Sequence, residues 1–140
     1  YIVASIKKRA QAHDVRIPKD AVLLAVPLHP KKQRARGFNQ AELLAKEFSK
    51  ISRIPLLTNL LLKVKDTKPQ VELENKEDRI NNLENAFLAD AAKLTACGAT
   101  EKTIILVDDV ATTGATLIHA SQALTKAGAK KIIAIIVAHG

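Results

Sequence analysis

The chain has 140 residues, enough to bury one substantial core, and 47% apolar against 3% aromatic content points to packing by Leu, Ile, Val and Ala. It shows no apolar run long enough to span a bilayer, no signal-peptide pattern and one cysteine, Cys97, which argues for a single cytoplasmic domain rather than a helical membrane protein or a disulfide-stapled scaffold. The formal net charge of +8 is lopsided, because residues 1 to 53 hold 12 basic and 4 acidic side chains while residues 54 to 140 hold 10 of each.

In chain order, an opening helix is predicted over Ile2 to Ala12, carrying the charge run Lys7-Lys8-Arg9. Such a run is most simply a solvated face, although Arg16 and Lys19 extend it. Pro18 leads to a buried strand at Ala21 to Val26, followed by Pro27-Leu28-His29-Pro30, whose two prolines predict a stiff, turned, non-helical backbone. Lys31, Lys32, Arg34 and Arg36 follow in what reads as a loop. Gly37-Phe38-Asn39-Gln40 is explained as a turn, a packed ring and a helix cap. Asn39 is the N-cap of a helix to Ser52, with Ala41, Leu44, Ala45, Phe48 and Ile51 on one face. Leu56 to Val64 reads as one or two strand pieces, Glu72 to Asn85 as part helix and part mobile loop, and Phe87 to Ala89 as a short strand. Strand Thr103 to Val107, a helix from Thr116 and strand Ile132 to Val137 then make a βαβ unit, which demands parallel pairing and a right-handed crossover.

The most informative stretch is Thr103 to Thr116, TIILVDDVATTGAT. Ile104, Ile105, Leu106 and Val107 suit a strand buried on both faces of a parallel sheet. Asp108 and Asp109 follow, and burying either unpaired would cost several kcal/mol, so they belong where the strand opens onto a polar ligand or a cation. An acidic pair alone is more often a solvated turn. Here Ala111, Thr112, Thr113, Gly114, Ala115 and Thr116 come next, small enough for backbone amides to curl round an anion. Leu117, Ala120, Ser121 and Leu124 recur at helical spacing and Gly128 closes the segment, so the turn lies on a helix N-terminus whose dipole favours a phosphate. The pattern thus offers an acidic half for ribose hydroxyls or hydrated Mg²⁺ beside an amide-rich half for a phosphate monoester.

This stretch resembles the PRPP-binding motif of the type I phosphoribosyltransferases. Together with VPLHPKKQRARGFNQAELL at residues 26 to 44, and with Thr67, Pro69-Gln70, Arg79, Asn82 and Ala86-Phe87, it is similar to the ComF (competence protein F) family from about Ala21 onward. The resemblance implies an α/β fold, a Rossmann-like parallel sheet flanked by helices, as one phosphoribosyltransferase-like domain over residues 1 to 140. It also implies a small flap over roughly residues 63 to 85. By the same resemblance Asp108 and Asp109 contact the ribose, the 111 to 116 loop holds the 5-phosphate, and Pro27, Leu28 and His29 form the pyrophosphate loop. Lys65, Lys68 and Arg79 are the flap cations. His29 is equally well explained as a surface histidine with no catalytic task. Where the family pattern has a basic residue and a glycine before Ala86-Phe87, this chain has Glu84 and Asn85. ComF-like proteins commonly carry an N-terminal four-cysteine zinc module, which this sequence lacks, so the chain reads as a fragment without zinc, and Cys97 as a residue with no chemical role.

Two classes of function follow from the resemblance. One is a binding module that takes PRPP with Mg²⁺ in natural competence, the handling of incoming single-stranded DNA, whose backbone Lys31, Lys32, Arg34 and Arg36 would meet. With Tyr1, Phe38, Phe48 and Phe87 as its only aromatics, the chain lacks the makings of a base-stacking platform. The other is an enzyme that transfers the phosphoribosyl group of PRPP to an amine or base, for which no acceptor pocket is legible in the sequence. The acceptor and the oligomeric state are not encoded in any motif.

Overall fold

The computed structural model describes residues 16–68, 72, 74–111 and 114–139; the predicted opening helix lies outside them. Four strands form a wholly parallel sheet in the order β2-β1-β5-β6: β1 (Ala21–Ala25), β2 (Leu56–Leu57), β5 (Thr103–Ala111) and β6 (Lys131–His139). The centre of the sheet is dry. Leu23, Ile104 and Leu106 have no solvent exposure, as expected for strands covered on both faces.

Two layers provide that cover. On one face lies α2 (Gln40–Ser52), whose Ala45 and Phe48 pack with Leu23, Ile105 and Val107. Ala41 is buried as predicted, but Ile51 is 49% exposed. The other face carries α5 (Ala115–Lys126), with Leu117, Ala120 and Leu124 buried against Ile104 and Leu106. Beside α5 sits a separate antiparallel pair, β3 (Leu61–Lys63) with β4 (Phe87–Ala89), which divides the predicted Leu56 to Val64 strand between two sheets. At the end of α5, Gly128 adopts φ 110, and the Ala129 N–H donates to the Leu124 carbonyl at 3.0 Å, closing the helix as its glycine foretold.

Three expectations are corrected. The stretch after Pro30 is not a loop but a seven-residue helix, α1 (Pro30–Arg36). Proline is well placed at a helix start because its missing N–H has no partner there anyway. Helix α4 (Ala91–Ala96) was also unforeseen; Asp90 caps it by accepting the Lys93 N–H at 3.0 Å. Finally, β5 does not end at Val107. Its pairing with β1 stops there, but its pairing with β6 runs on to Ala111 opposite His139, so both aspartates lie within the strand.

The stretch expected as a flap contains α3 (Lys76–Leu83), with Leu83 only 1% exposed. Asn82 binds both the N–H and the carbonyl of Lys68, at 3.2 and 2.9 Å. Asn85 takes φ 55, so asparagine here occupies the left-handed conformation that the family's glycine would adopt freely. Among the described residues no helix is long and apolar enough to cross a membrane.

Candidate functional site

The site is built at the carboxyl edge of β1 and β5, where pairing between these strands stops and the two chains diverge. Asp108 is the first residue of β5 beyond its β1 partner, 7% exposed and on the same side chain alternation as Ile104 and Leu106. Its carboxylate accepts the Asp109 N–H at 2.9 Å. Among the described residues no Lys, Arg or His nitrogen comes within 4.0 Å of either carboxylate. Burial, a hydrogen bond to the Asp109 carboxyl and the charge of Asp109 push Asp108 up to about 7, against the pull of the Asp109 N–H and of Lys63. A carboxyl in this condition is stabilised by donors or positive charge arriving from outside.

Beyond Ala111 the chain reaches Gly114 at φ 76, which caps α5 without any side-chain hydrogen bond. A Cβ at Gly114 would meet nothing within 4 Å among the described residues. Ala115 and Thr116 form the first turn of α5, where the helix dipole places partial positive charge. Thr112 and Thr113 lie outside the described residues. Asp108 and Asp109 near the end of β5 are thus joined to Gly114, Ala115 and Thr116 at the start of α5 by one short connection.

Pro27, Leu28 and His29 leave the end of β1 next to this edge and line a cavity of about 500 Å³. Two ties hold them. The Val26 N–H donates to the Val107 carbonyl at 2.9 Å, and Asn39 Nδ2 donates to the Val26 carbonyl at 3.0 Å. Asn39 also caps α2, its Oδ1 accepting the Ala41 N–H at 3.1 Å, so one buried amide locks helix, loop and strand together. His29 has a structural task as well: its Nδ1 accepts the Lys31 N–H at 3.2 Å and caps α1. Among the described residues no protein acceptor is found for the N–H groups of Leu28 and His29.

The basic residues separate into groups. Lys31 pairs with Asp66 at 3.2 Å, which holds the Asp66 carboxyl below its ordinary value, and Lys32 donates to the Thr67 carbonyl. Both lysines thus fasten α1 to the segment after β3. Arg34 and Arg36 are exposed in the last turn of α1, and among the described residues neither has an ion-pair partner. Lys65 and Lys68 are exposed beyond β3, and Arg79 lies on α3.

Sequence reasoning missed Lys63. Strand alternation turns it inward with Leu61, into the same cavity, with its ammonium 5.6 Å from the Phe87 ring centroid. Burial above all, and then the charge of Lys32, lower its pKa to about 8, partly offset by Asp108 and Asp66. The available signal was the Leu-Leu-Lys alternation, legible only once its register on the sheet is known.

The aspartate pair also bears on magnesium. Among the described residues no three His, Cys, Asp or Glu side chains converge as a metal cage. Two carboxylates with no ion-pair partner among the described residues fit a hydrated Mg²⁺ that would take its remaining oxygens from water and ligand phosphates.

A parallel sheet with an acidic pair on its central strand, followed by a glycine turn into a helix, defines a phosphoribosyl transferase domain, and the family of that description matches residues 35–140. Competence protein F of Haemophilus influenzae is 37% identical over 128 residues, 91% of this chain and 53% of that protein. Competence protein ComFC of Bacillus subtilis is 34% identical over 110 residues, 79% and 40%. DNA utilization protein YhgH of Escherichia coli K12 is 31% identical over 110 residues, 79% and 45%. The chain belongs to the ComF family of phosphoribosyltransferase-fold proteins, and it spans about half the length of these relatives.

Proposed function

We propose that this chain binds PRPP or ribose 5-phosphate with hydrated Mg²⁺ and acts in natural competence, in the handling of incoming single-stranded DNA in the cytoplasm. One observation carries the ligand reading: an acidic pair on β5, with no Lys, Arg or His nitrogen within 4.0 Å among the described residues, precedes the glycine turn that starts α5. Asp108 and Asp109 accept from the ribose hydroxyls and hold the hydrated cation, which screens the ligand's phosphates. The turn through Gly114 to Thr116 takes the 5-phosphate, and the Leu28 and His29 amides face the diphosphate. The competence role is supported by the names of the relatives, competence protein F and ComFC. Arg34 and Arg36, exposed and without an ion-pair partner among the described residues, are better placed than Lys31 and Lys32 to meet a nucleic-acid backbone.

The deciding experiment is calorimetric titration with PRPP, with and without Mg²⁺, on this chain and on the double variant Asp108→Asn, Asp109→Asn. Mg-dependent binding that the variant loses supports the reading; a folded wild-type chain that binds no PRPP removes it. The second reading, transfer of the phosphoribosyl group to an amine or base, is favoured by the cavity of about 500 Å³ beside the 27–29 loop, a size within the range of small-molecule sites. Diphosphate release dependent on an added acceptor is its measurement.

A further inference from the structure

Strand β6 has the composition of an interior strand and the position of an edge. Between Lys131 and His139 it carries only Ile, Val and Ala, the pattern of a strand covered on both faces inside a parallel sheet. Yet among the described residues its one strand partner is β5. The opposite edge of the sheet is protected by brevity, since β2 has two residues; β6 has nine. An edge of that length is usually guarded by lysines, a proline or a covering element, because its outward N–H and C=O groups are a template for another strand. Apolar surface continues to either side of it. Ile133, on the face that Ile135 shares with α2, is 37% exposed. On the other face Ala134, Leu117 and the 54% exposed Ile118 line a groove of about 650 Å³ between β6 and α5.

We infer that β6 pairs antiparallel with β6 of a second copy of this chain, joining the two parallel sheets into one of eight strands. The strand's own sequence selects that occupant. Ile132-Ile133-Ala134-Ile135-Ile136 reads the same in both directions. A two-fold axis at Ala134 therefore sets Ile132 opposite the partner's Ile136 and Ile133 opposite the partner's Ile135, and such opposed aliphatic pairs are what stabilises an antiparallel ladder. The contact is isologous, so one surface serves both copies and the assembly closes at two. Ala134 at the axis lies on the α5 face, which brings the two apolar grooves together across it. Charge does not oppose the seam: Lys131 falls at the strand end, and Lys130 is already paired with Glu101 at 2.6 Å. Nine residues of strand span about 30 Å, and a sheet with one helical layer is about 20 Å deep, so each copy would bury on the order of 600 Å², about 1,200 Å² in all, the lower bound of stable interfaces.

The test is sedimentation equilibrium of the 140-residue chain from about 1 to 200 µM, a range that brackets the affinity such an area supports. The wild type should pass from monomer to dimer across it. Ile133→Lys and, separately, Ile118→Lys replace exposed side chains, so each should keep the wild-type melting curve while weakening the dimer at least tenfold. Leu88→Lys, also exposed but on β4, should stay within threefold of wild type. Hydrogen exchange reads the strand pairing itself. Amides of residues 131 to 139 should exchange more slowly in the concentrated wild type than in the diluted one, and Ile133→Lys should abolish the difference. A wild type that stays monomeric at about 200 µM, whether another segment of the chain or a different protein's strand covers the edge, overturns the inference. So does a dimer that Leu88→Lys dissolves and Ile133→Lys leaves intact, or one whose β6 amides exchange at the same rate at every concentration.

Discussion

Replacing Asp108 by Asn should make the ligand-free protein more stable, and increasingly so as pH rises. The amide is nearly isosteric and its Oδ1 can still accept the Asp109 N–H, whose distance to the carboxylate is 2.9 Å, so packing is preserved while the ionisable group is removed. In the folded chain burial and Asp109 push the Asp108 carboxyl from 3.8 up to about 7. Between those values the folded state keeps a proton that the unfolded state has released, so wild-type stability falls as pH rises through the window. A shift of this size corresponds to a penalty of about 4 kcal/mol once both states are ionised, of which roughly 2 to 3 kcal/mol accrues between pH 5 and pH 8. Urea unfolding of wild type and Asp108→Asn at these two pH values, without ligand, measures it. The variant's advantage should widen by that amount at pH 8, while its Mg-dependent PRPP affinity disappears. An advantage that does not change with pH, or a variant less stable than wild type at pH 8, would refute the claim that this carboxylate is held at a cost to the fold.

Other consequences can be measured on the same material. Gly114→Ala adds a Cβ that touches nothing within 4 Å, so its cost is the backbone strain of φ 76, about 1 kcal/mol, read as a melting temperature lower by a few degrees. Its loss of ribose 5-phosphate affinity should be larger than tenfold if the turn faces the phosphate. Asn39→Ala removes both the α2 cap and the bond to the buried Val26 carbonyl and should cost about 2 to 3 kcal/mol in urea unfolding; Asn39→Ser, which keeps only the cap, should recover about half.

Much of what depends on neighbours in the chain could be read from the residues alone, although the short helices α1 and α4, each capped by a residue of its own neighbourhood, were not. Ile104 to Val107 had to be a doubly covered strand because nothing in it tolerates water, and Asp108-Asp109 followed by a glycine turn pointed to a candidate ligand edge because an unpaired buried carboxylate is costly. Asn39 announced its helix, and Gly128 ended another, through backbone requirements that act over a few residues. The tertiary structure decided what depends on distant partners. It continued β5 past the aspartates because β6 remained beside it after β1 had turned away. It fastened Lys31 and Lys32 to a segment more than thirty residues away, and turned Lys63 into a cavity that no local pattern outlines. Burial and charge at these positions are set by which elements pack together, and the free energy of a buried carboxylate or ammonium depends on that surrounding medium rather than on its sequence neighbours.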